Sequence, residues 1–367
     1  MAQSSLDVTV PTDTSDMKYR GKERKNMPCY HPLHAFQIGF TDEGKKKLKI
    51  CSGKTETLID YTRQGFKELQ RPPTPWEESH FQCNQDFIPI PCGQCIGCRL
   101  EYSKQWATRC MLEAKKYEHN YFVTLTYDNE HLPITDYTDP VSGVIGQSMT
   151  LVPRDHTLFM KRLRKEYGDN IRYYMCGEYG DESLRPHFHY ILFNLPLDDL
   201  KVYKINSDGQ PLYNSERLQK LWPNGYVVVA NVTFQTCAYV ARYVTKKLTG
   251  KKADHYTRFN LERPFVRMSR RPGIARDWFN ENFDTIYQRD EIVLENGLSV
   301  RPPRYFDKLF EVDYPDELET IKEYRRNAAE LIQQSVEDRI DLNYLDYLEV
   351  CENVKKNKTK VLTRDNF

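Results

Sequence analysis

Two β-rich runs constrain this chain most: "IRYYMCGEYG" (171–180) and "HFHYILFNL" (187–195) are separated by six residues. A connection that short joins antiparallel strands, because a parallel pair needs a long crossover. "YFVTLTYD" (121–128) and "GYVVVANVTF" (225–234) are β-branched and aromatic and read as further strands. Helical spacing of Ser103, Trp106, Cys110, Ala114 and Tyr117 predicts a helix over roughly 99–119. A second helix starts near Pro153, with Phe159, Leu163 and Tyr167 on one stripe. A third covers "QTCAYVARYVTKKL" (235–248) and ends at Gly250. The order α-β-α-β-β-β-α from 99 to 250 predicts an α+β domain of the split-βαβ kind, an antiparallel sheet with helices over one face.

The second of those strands raises a chemical question. On a strand, residues two apart face the same way, so His187 and His189 leave one side together while Phe188, Tyr190 and Leu192 leave the other. Alone, an HxH pair reads equally as two polar side chains on a solvent face. Glu178 lies on the preceding strand, and a hairpin brings it beside the histidines. Two imidazoles and a carboxylate form a three-ligand site with open positions, as a catalytic divalent metal requires. The alternative for Glu178 is a solvent-facing strand residue.

In "AYVARYVTKK", Tyr239 and Tyr243 stand four apart and share a helix face, and Lys246 lies three further along that side. Aromatics at this spacing commonly pack a helix onto a sheet, yet Val240 and Val244 already supply an apolar stripe. Mg²⁺ or Mn²⁺ held by the histidines and carboxylate would polarise a phosphoryl oxygen. A tyrosine, a weak nucleophile at its usual pKa of about 10, could then attack a DNA phosphodiester, giving a phosphotyrosine and a free 3′-OH.

These residues carry a resemblance. "FVTLTYD", "RPHFHYILF" and "YVARYVTKK" match, in order, the three motifs of the HUH (His-hydrophobic-His) rolling-circle initiators. "MPCYHP" and "PCGQCIGCRLEYSKQWATRC" resemble the initiators of microviruses (the gokushovirus group) in particular. Similarity runs from about 27 to 310. The resemblance implies a ferredoxin-like nuclease that nicks a replication origin and rejoins the displaced strand. It implies His187, His189 and Glu178 as metal ligands, with Asp128 as a competitor for the carboxylate. It further implies Tyr239 and Tyr243 as nucleophiles and Lys246 as their assistant. Lacking an NTPase motif, such a protein would work with viral origin DNA, a host helicase and a host polymerase. "SGKT" (52–55) is no P-loop, since Leu48 stands where the first glycine is needed.

Six of the ten cysteines fall between Cys29 and Cys98. Cys92, Cys95 and Cys98 form CxxCxxC, which with Cys29 predicts a closed structural Zn²⁺ site. An iron–sulfur cluster and plain reduced thiols are the alternatives. Cys51, Cys110, Cys176, Cys237 and Cys351 read as small core residues.

Composition sets the frame. The chain has 367 residues, 39% hydrophobic and 29% charged, enough for two or three domains. The expected divisions are a disordered stretch (1–26), a Cys-rich zinc module (27–98), the nuclease domain (99–255), an extension packed on it (256–310) and an acidic helical C-terminal region (311–367). The last has Leu331, Val336, Ile340 and Leu345 available as an apolar face. No apolar run approaches membrane-spanning length and no signal peptide is evident, which predicts the bacterial host's cytoplasm and no membrane partner. The net charge of +1 hides basic clusters at 161–165, 242–252 and 267–271, which suit one anion-facing surface. Rival readings are a hydrolase of the amidohydrolase kind, for which only His255 remains downstream, a non-catalytic zinc-containing DNA-binding protein, and a related HUH relaxase or transposase.

Overall fold

The computed structural model describes residues 29–61, 65–180, 183–207, 209–246, 253–294 and 297–361, with the backbone alone for 243–246 and 360–361. The expected disordered N-terminus and the helix stop at Gly250 lie outside the described residues. Two compact units emerge, one formed by residues 102–327 and the other by 26–101 together with 328–364.

The unit that begins the chain holds β1 (Leu33–Phe40), β2 (Lys46–Ser52), β3 (Thr57–Asp60), β4 (Phe66–Leu69), α1 (Pro75–His80), β5 (Gln82–Asn84) and β6 (Phe87–Ile90). They form two small antiparallel sheets, ordered β2-β1-β6 and β4-β3-β5. Thr74 and Glu77 cap α1 reciprocally, and Arg71 reaches the same carboxylate with both guanidinium nitrogens.

The helix α2 (Ile96–Ala114) leads into the larger unit. There follow β7 (Asn120–Tyr127), β8 (Ile134–Thr138), β9 (Ile145–Met149), α3 (Pro153–Tyr167), β10 (Arg172–Tyr179), β11 (Pro186–Phe193), β12 (Lys201–Ile205), β13 (Pro211–Asn214), α4 (Glu216–Leu221), β14 (Gly225–Asn231) and α5 (Phe234–Lys246). Beyond them lie α6 (Asp254–Arg258), β15 (Phe265–Met268), α7 (Arg276–Arg289), the short pair β16 (Ile292–Val293) and β17 (Ser299–Val300), α8 (Arg304–Asp313), α9 (Pro315–Glu337) and α10 (Tyr344–Val361). No described helix is long and apolar enough to cross a membrane.

Seven strands make the central sheet in the order β12-β13-β14-β7-β11-β10-β15, antiparallel throughout. The α+β class with antiparallel sheets and a Cys-rich cluster near the N-terminus is therefore correct. The expectation of helices over one face is not. On one face Phe188, Tyr190 and Leu192 of β11 pack with Phe159 and Leu163 of α3, Leu218 of α4 and Trp222. On the other, Ile191 and Phe193 pack with Ala107 and Cys110 of α2 and Cys237, Val240 and Ala241 of α5. The physical reason is the composition of β11, which is apolar beyond His189 on both sides and buried on both, as a strand between two layers must be. Gly177 of β10 permits the closest approach, since a Cβ there would stand 3.1 Å from the rings of both Phe188 and Phe265.

The expected apolar face of the C-terminal region also needs correction. Leu331 is 67% exposed, and Ile340 lies beyond the end of α9. The residue that anchors this region is Leu348 of α10, buried against Tyr30 and Cys95, with Leu345 alongside. Of the expected core cysteines, Cys51, Cys110, Cys176 and Cys237 are buried, and Cys351 is only half-buried beside that cluster.

Candidate functional site

Register builds the site. The antiparallel pairing of β10 with β11 sets Glu178 directly opposite His187 and Cys176 opposite His189. On the other side, β7 sets Thr126 opposite His187 and Thr124 opposite His189. The three candidate ligands therefore share the face of the sheet that α5 covers, and their ligand atoms lie within 4.8 Å of one another. Nε2 of His187 is 2.8 Å, and Nε2 of His189 3.0 Å, from the same carboxylate oxygen, Oε1 of Glu178. The ring planes are nearly perpendicular, with centroids 4.8 Å apart. Glu178 and His189 are buried and His187 is the more open of the three, so solvent reaches the group from its side.

Hydrogen bonds behind the histidines fix which nitrogen faces the carboxylate. Nδ1 of His187 lies 3.1 Å from the Arg185 carbonyl, which can only accept, so Nδ1 carries the proton and Nε2 presents its lone pair to Glu178. Nδ1 of His189 lies 2.9 Å from the Thr124 hydroxyl. A lone pair facing a carboxylate oxygen at hydrogen-bond distance is repulsive until a proton or a cation comes between them. The second carboxylate oxygen, Oε2 of Glu178, is buried with no hydrogen-bond partner among the described residues. Leaving it so costs roughly 1–3 kcal/mol or more. Two imidazole nitrogens and an under-satisfied buried carboxylate fit a bound divalent metal.

Helix α5 crosses above this group. Thr233 caps its start, its hydroxyl accepting from the Thr236 N–H at 3.1 Å. Tyr239 is half-buried, and its ring meets that of His189 edge-on at 5.1 Å between centroids. Phe122 stacks on His189 at 5.4 Å and lies 6.2 Å from Tyr239, holding both rings from the sheet side. The backbone of α5 carries Tyr243 one turn beyond Tyr239 and Lys246 at its end. The side chains of Tyr243 and Lys246 lie outside the described residues. Asp128, the competing carboxylate, does not join the group: it accepts from the backbone N–H of His131 at 2.8 Å and contacts that imidazole at 2.9 Å. Its pKa is lowered by those contacts, the backbone donor first.

A second ligand group sits in the other unit. The thiols of Cys29, Cys92, Cys95 and Cys98 lie within 4.8 Å of one another, with Sγ–Sγ distances of 4.0 Å for Cys92–Cys98 and for Cys29–Cys95. Four sulfurs about 2.3 Å from one metal ion form a tetrahedron with edges of about 3.8 Å, so the spacing suits a closed thiolate site. Backbone N–H groups of Tyr30, Cys92, Cys95 and Cys98 point at the sulfurs from 3.2 to 3.4 Å. Cys95 is the thiol most ready to ionise. The Cys29 thiol bonded to it, helped by the N–H groups of Cys98 and Tyr30, holds its pKa down at about 4 against the opposing effect of burial. All ten cysteines are free thiols, and Cys83 stands apart from the four.

The sequence reading missed three supporting residues: Thr124, Phe122 and Arg185. Arg185 donates from its guanidinium to the carbonyls of Tyr127 and Asp128 at 3.0 and 3.2 Å, pinning the loop between β10 and β11 against the end of β7. A signal for Thr124 existed, since "FVTLTYD" alternates Thr124 and Thr126 against Val123, Leu125 and Tyr127.

Strands, ligand groups and helix define an α+β protein with one open and one closed candidate metal site. The profile of a family of replication-associated proteins, the ORF2 family, matches residues 120–248, which span β7 to the end of α5. Replication-associated protein ORF2 of Spiroplasma virus 4 is 35% identical over 301 residues, covering 78% of this chain and 89% of that protein. Replication-associated protein VP4 of Bdellovibrio phage phiMH2K is 32% identical over 271 residues, covering 70% and 80%. Replication-associated protein ORF4 of Chlamydia phage 1 is 32% identical over 286 residues, covering 74% and 66%. No solved structure matches the chain. The chain belongs to the family of microvirus replication-associated proteins.

Proposed function

We propose that this protein initiates rolling-circle replication of a small single-stranded DNA phage, nicking viral origin DNA by tyrosine transesterification and later rejoining the displaced strand. One observation carries the reading: Glu178, His187 and His189 converge beneath a helix whose first tyrosine meets His189 edge-on. In this reading the central sheet is an HUH, ferredoxin-like nuclease core. His187, His189 and Glu178 would hold Mg²⁺ or Mn²⁺, which when bound polarises a phosphoryl oxygen and offsets charge developing on it.

The remaining chemistry belongs to the chain. The phenol oxygen of Tyr239 attacks phosphorus, a Tyr O–P bond forms, the P–O3′ bond breaks, and the phenol proton is balanced by protonation of the departing 3′-oxygen. One phosphodiester replaces another, so the step is nearly isoenergetic and reversible without ATP. Phe122 and His189 orient the Tyr239 ring. Tyr243, one turn along α5, serves in the second transfer, and Lys246 favours the phenolate by its charge. Cys29, Cys92, Cys95 and Cys98 hold a structural Zn²⁺. The protein acts in the cytoplasm of the bacterial host and uses a host helicase and polymerase.

A single-stranded oligonucleotide carrying the origin, incubated with Mg²⁺ or Mn²⁺, should become covalently attached to the protein and shift it on a denaturing gel. The double substitution Tyr239→Phe/Tyr243→Phe should abolish the adduct while preserving DNA binding. Native protein that forms no adduct with the correct origin refutes the nickase reading, and a double variant that still supports replication favours a non-catalytic DNA-binding role.

A further inference from the structure

The two basic stretches outside α5, "KRLRK" (161–165) and "RMSRR" (267–271), lie about a hundred residues apart in sequence, yet the fold brings them together. Arg164 of α3, Arg267 of β15, and Arg270 and Arg271 just beyond it line one groove of about 500 Å³, together with Tyr173 of β10. Among the described residues, no Asp or Glu lines it. A neighbouring hollow shares Arg164, Arg270 and Arg271 and continues past Asn170 and Asn194. It brings in Asp169 and Asp277 along with Arg172, whose own charge is matched by Glu113.

Four guanidiniums gathered without a counter-charge are costly unless a polyanion joins them. Among the described residues none of the four has a carboxylate within ion-pair distance: Arg267 reaches only the Thr157 hydroxyl, at 3.4 Å. Nε of Arg164 is buried without a hydrogen-bond partner, and its guanidinium stands 5.9 Å over the Tyr173 ring. Arg270 and Arg271 are exposed. The local potential also marks His156, whose pKa is lowered to about 4 by burial first and then by Arg267 and Arg164.

Charges on an edge strand discourage aggregation, and β15 is an edge strand, paired only with β10. That role needs no arginine from α3 and no aromatic side chain set among the guanidiniums. Planar forks suit phosphodiester oxygens, and an aromatic face suits an unpaired base. The groove also lies on the other face of the sheet from Glu178. Tyr173 precedes Glu178 by five strand residues, about 17 Å along β10.

We propose that this groove is a second DNA contact, holding the sugar–phosphate backbone of single-stranded DNA away from the cleavage site, with Tyr173 against a base. The inference rests on the reading that the chain handles DNA, and not on nicking.

The test is fluorescence anisotropy of the full chain with a labelled mixed-sequence single-stranded DNA oligonucleotide across a salt series, without added divalent metal. Arg270→Ala/Arg271→Ala should weaken binding about tenfold and lower the slope of log affinity against log salt by about 1.4, from about 0.7 per lost phosphate contact. Arg270→Lys/Arg271→Lys, which keeps the charge, should retain the slope. Lys46→Ala/Lys47→Ala, an equal charge loss on β2, should leave both values unchanged. Unchanged affinity and slope in the alanine pair overturns the proposal, as does equal loss in the lysine pair or the β2 control. A protein that forms no covalent adduct yet shows the expected losses would leave this groove standing and the nickase reading refuted.

Discussion

Two buried imidazoles flank strand β11 from opposite faces, His189 beneath α5 and His156 on α3. Each has an aromatic ring stacked on it, Phe122 for His189 and Tyr190 for His156. Each has Nδ1 at hydrogen-bond distance from a hydroxyl, Thr124 at 2.9 Å and Tyr190 at 3.0 Å. What differs is the charge beside them. His189 turns Nε2 to the Glu178 carboxylate at 3.0 Å, whereas His156 feels Arg267 and Arg164. A carboxylate in contact makes a buried imidazole part of a cation site. Guanidiniums nearby keep it neutral and structural, so burial alone does not distinguish a ligand from a core residue.

The sharpest way to break this comparison is to remove the carboxylate. Glu178→Ala should lower adduct formation about a thousandfold, equivalent to about 4 kcal/mol, measured as single-turnover rate at fixed Mg²⁺. A rate within tenfold of the native one would make the carboxylate dispensable.

The next effect is on stability. Unfolded His156 titrates near 6.5 and the folded residue at about 4. On acidification the unfolded state therefore takes up its proton first. This contribution is complete above pH 6.5 and is lost as pH falls towards 4, amounting to about 3 kcal/mol. Relative to native protein, His156→Gln should gain that much unfolding free energy between pH 7 and pH 4 in denaturant titrations. Parallel pH profiles for the two proteins would contradict the neutral-core assignment.

The smallest effect belongs to the supporting hydroxyl. Thr124→Val should raise the Mg²⁺ or Mn²⁺ concentration for half-maximal activity about tenfold, as loss of an outer partner does, with little change at saturating metal. An equal loss at saturating metal would assign Thr124 to the transfer step itself.

The strands were legible because period two and a short hairpin leave little freedom. The alternation in "HFHYILF" places both imidazoles on one side, and the six-residue connection puts Glu178 opposite His187. Thr124 was less legible because it depends on β7 lying beside β11, a pairing between strands some sixty residues apart. The polar runs "KVYKI" and "PLYN", which form β12 and β13 at the sheet's edge, carry no burial pattern to reveal them. Leu331 misled because it shares helical spacing with apolar neighbours but finds nothing to pack on. The anchor, Leu348, is defined by Tyr30 and Cys95, residues at the opposite end of the chain.

That last contact governs the order of assembly. Tyr30 and Cys95 are covered by Leu348, and His31 meets the buried Glu352 carboxylate at 2.7 Å, so the four-thiol unit is built from both ends of the polypeptide. Domains translated early usually fold first. Here the earliest-made structured segment must wait for α10 to leave the ribosome before its core closes, and a product released before residue 344 would emerge with that core uncovered.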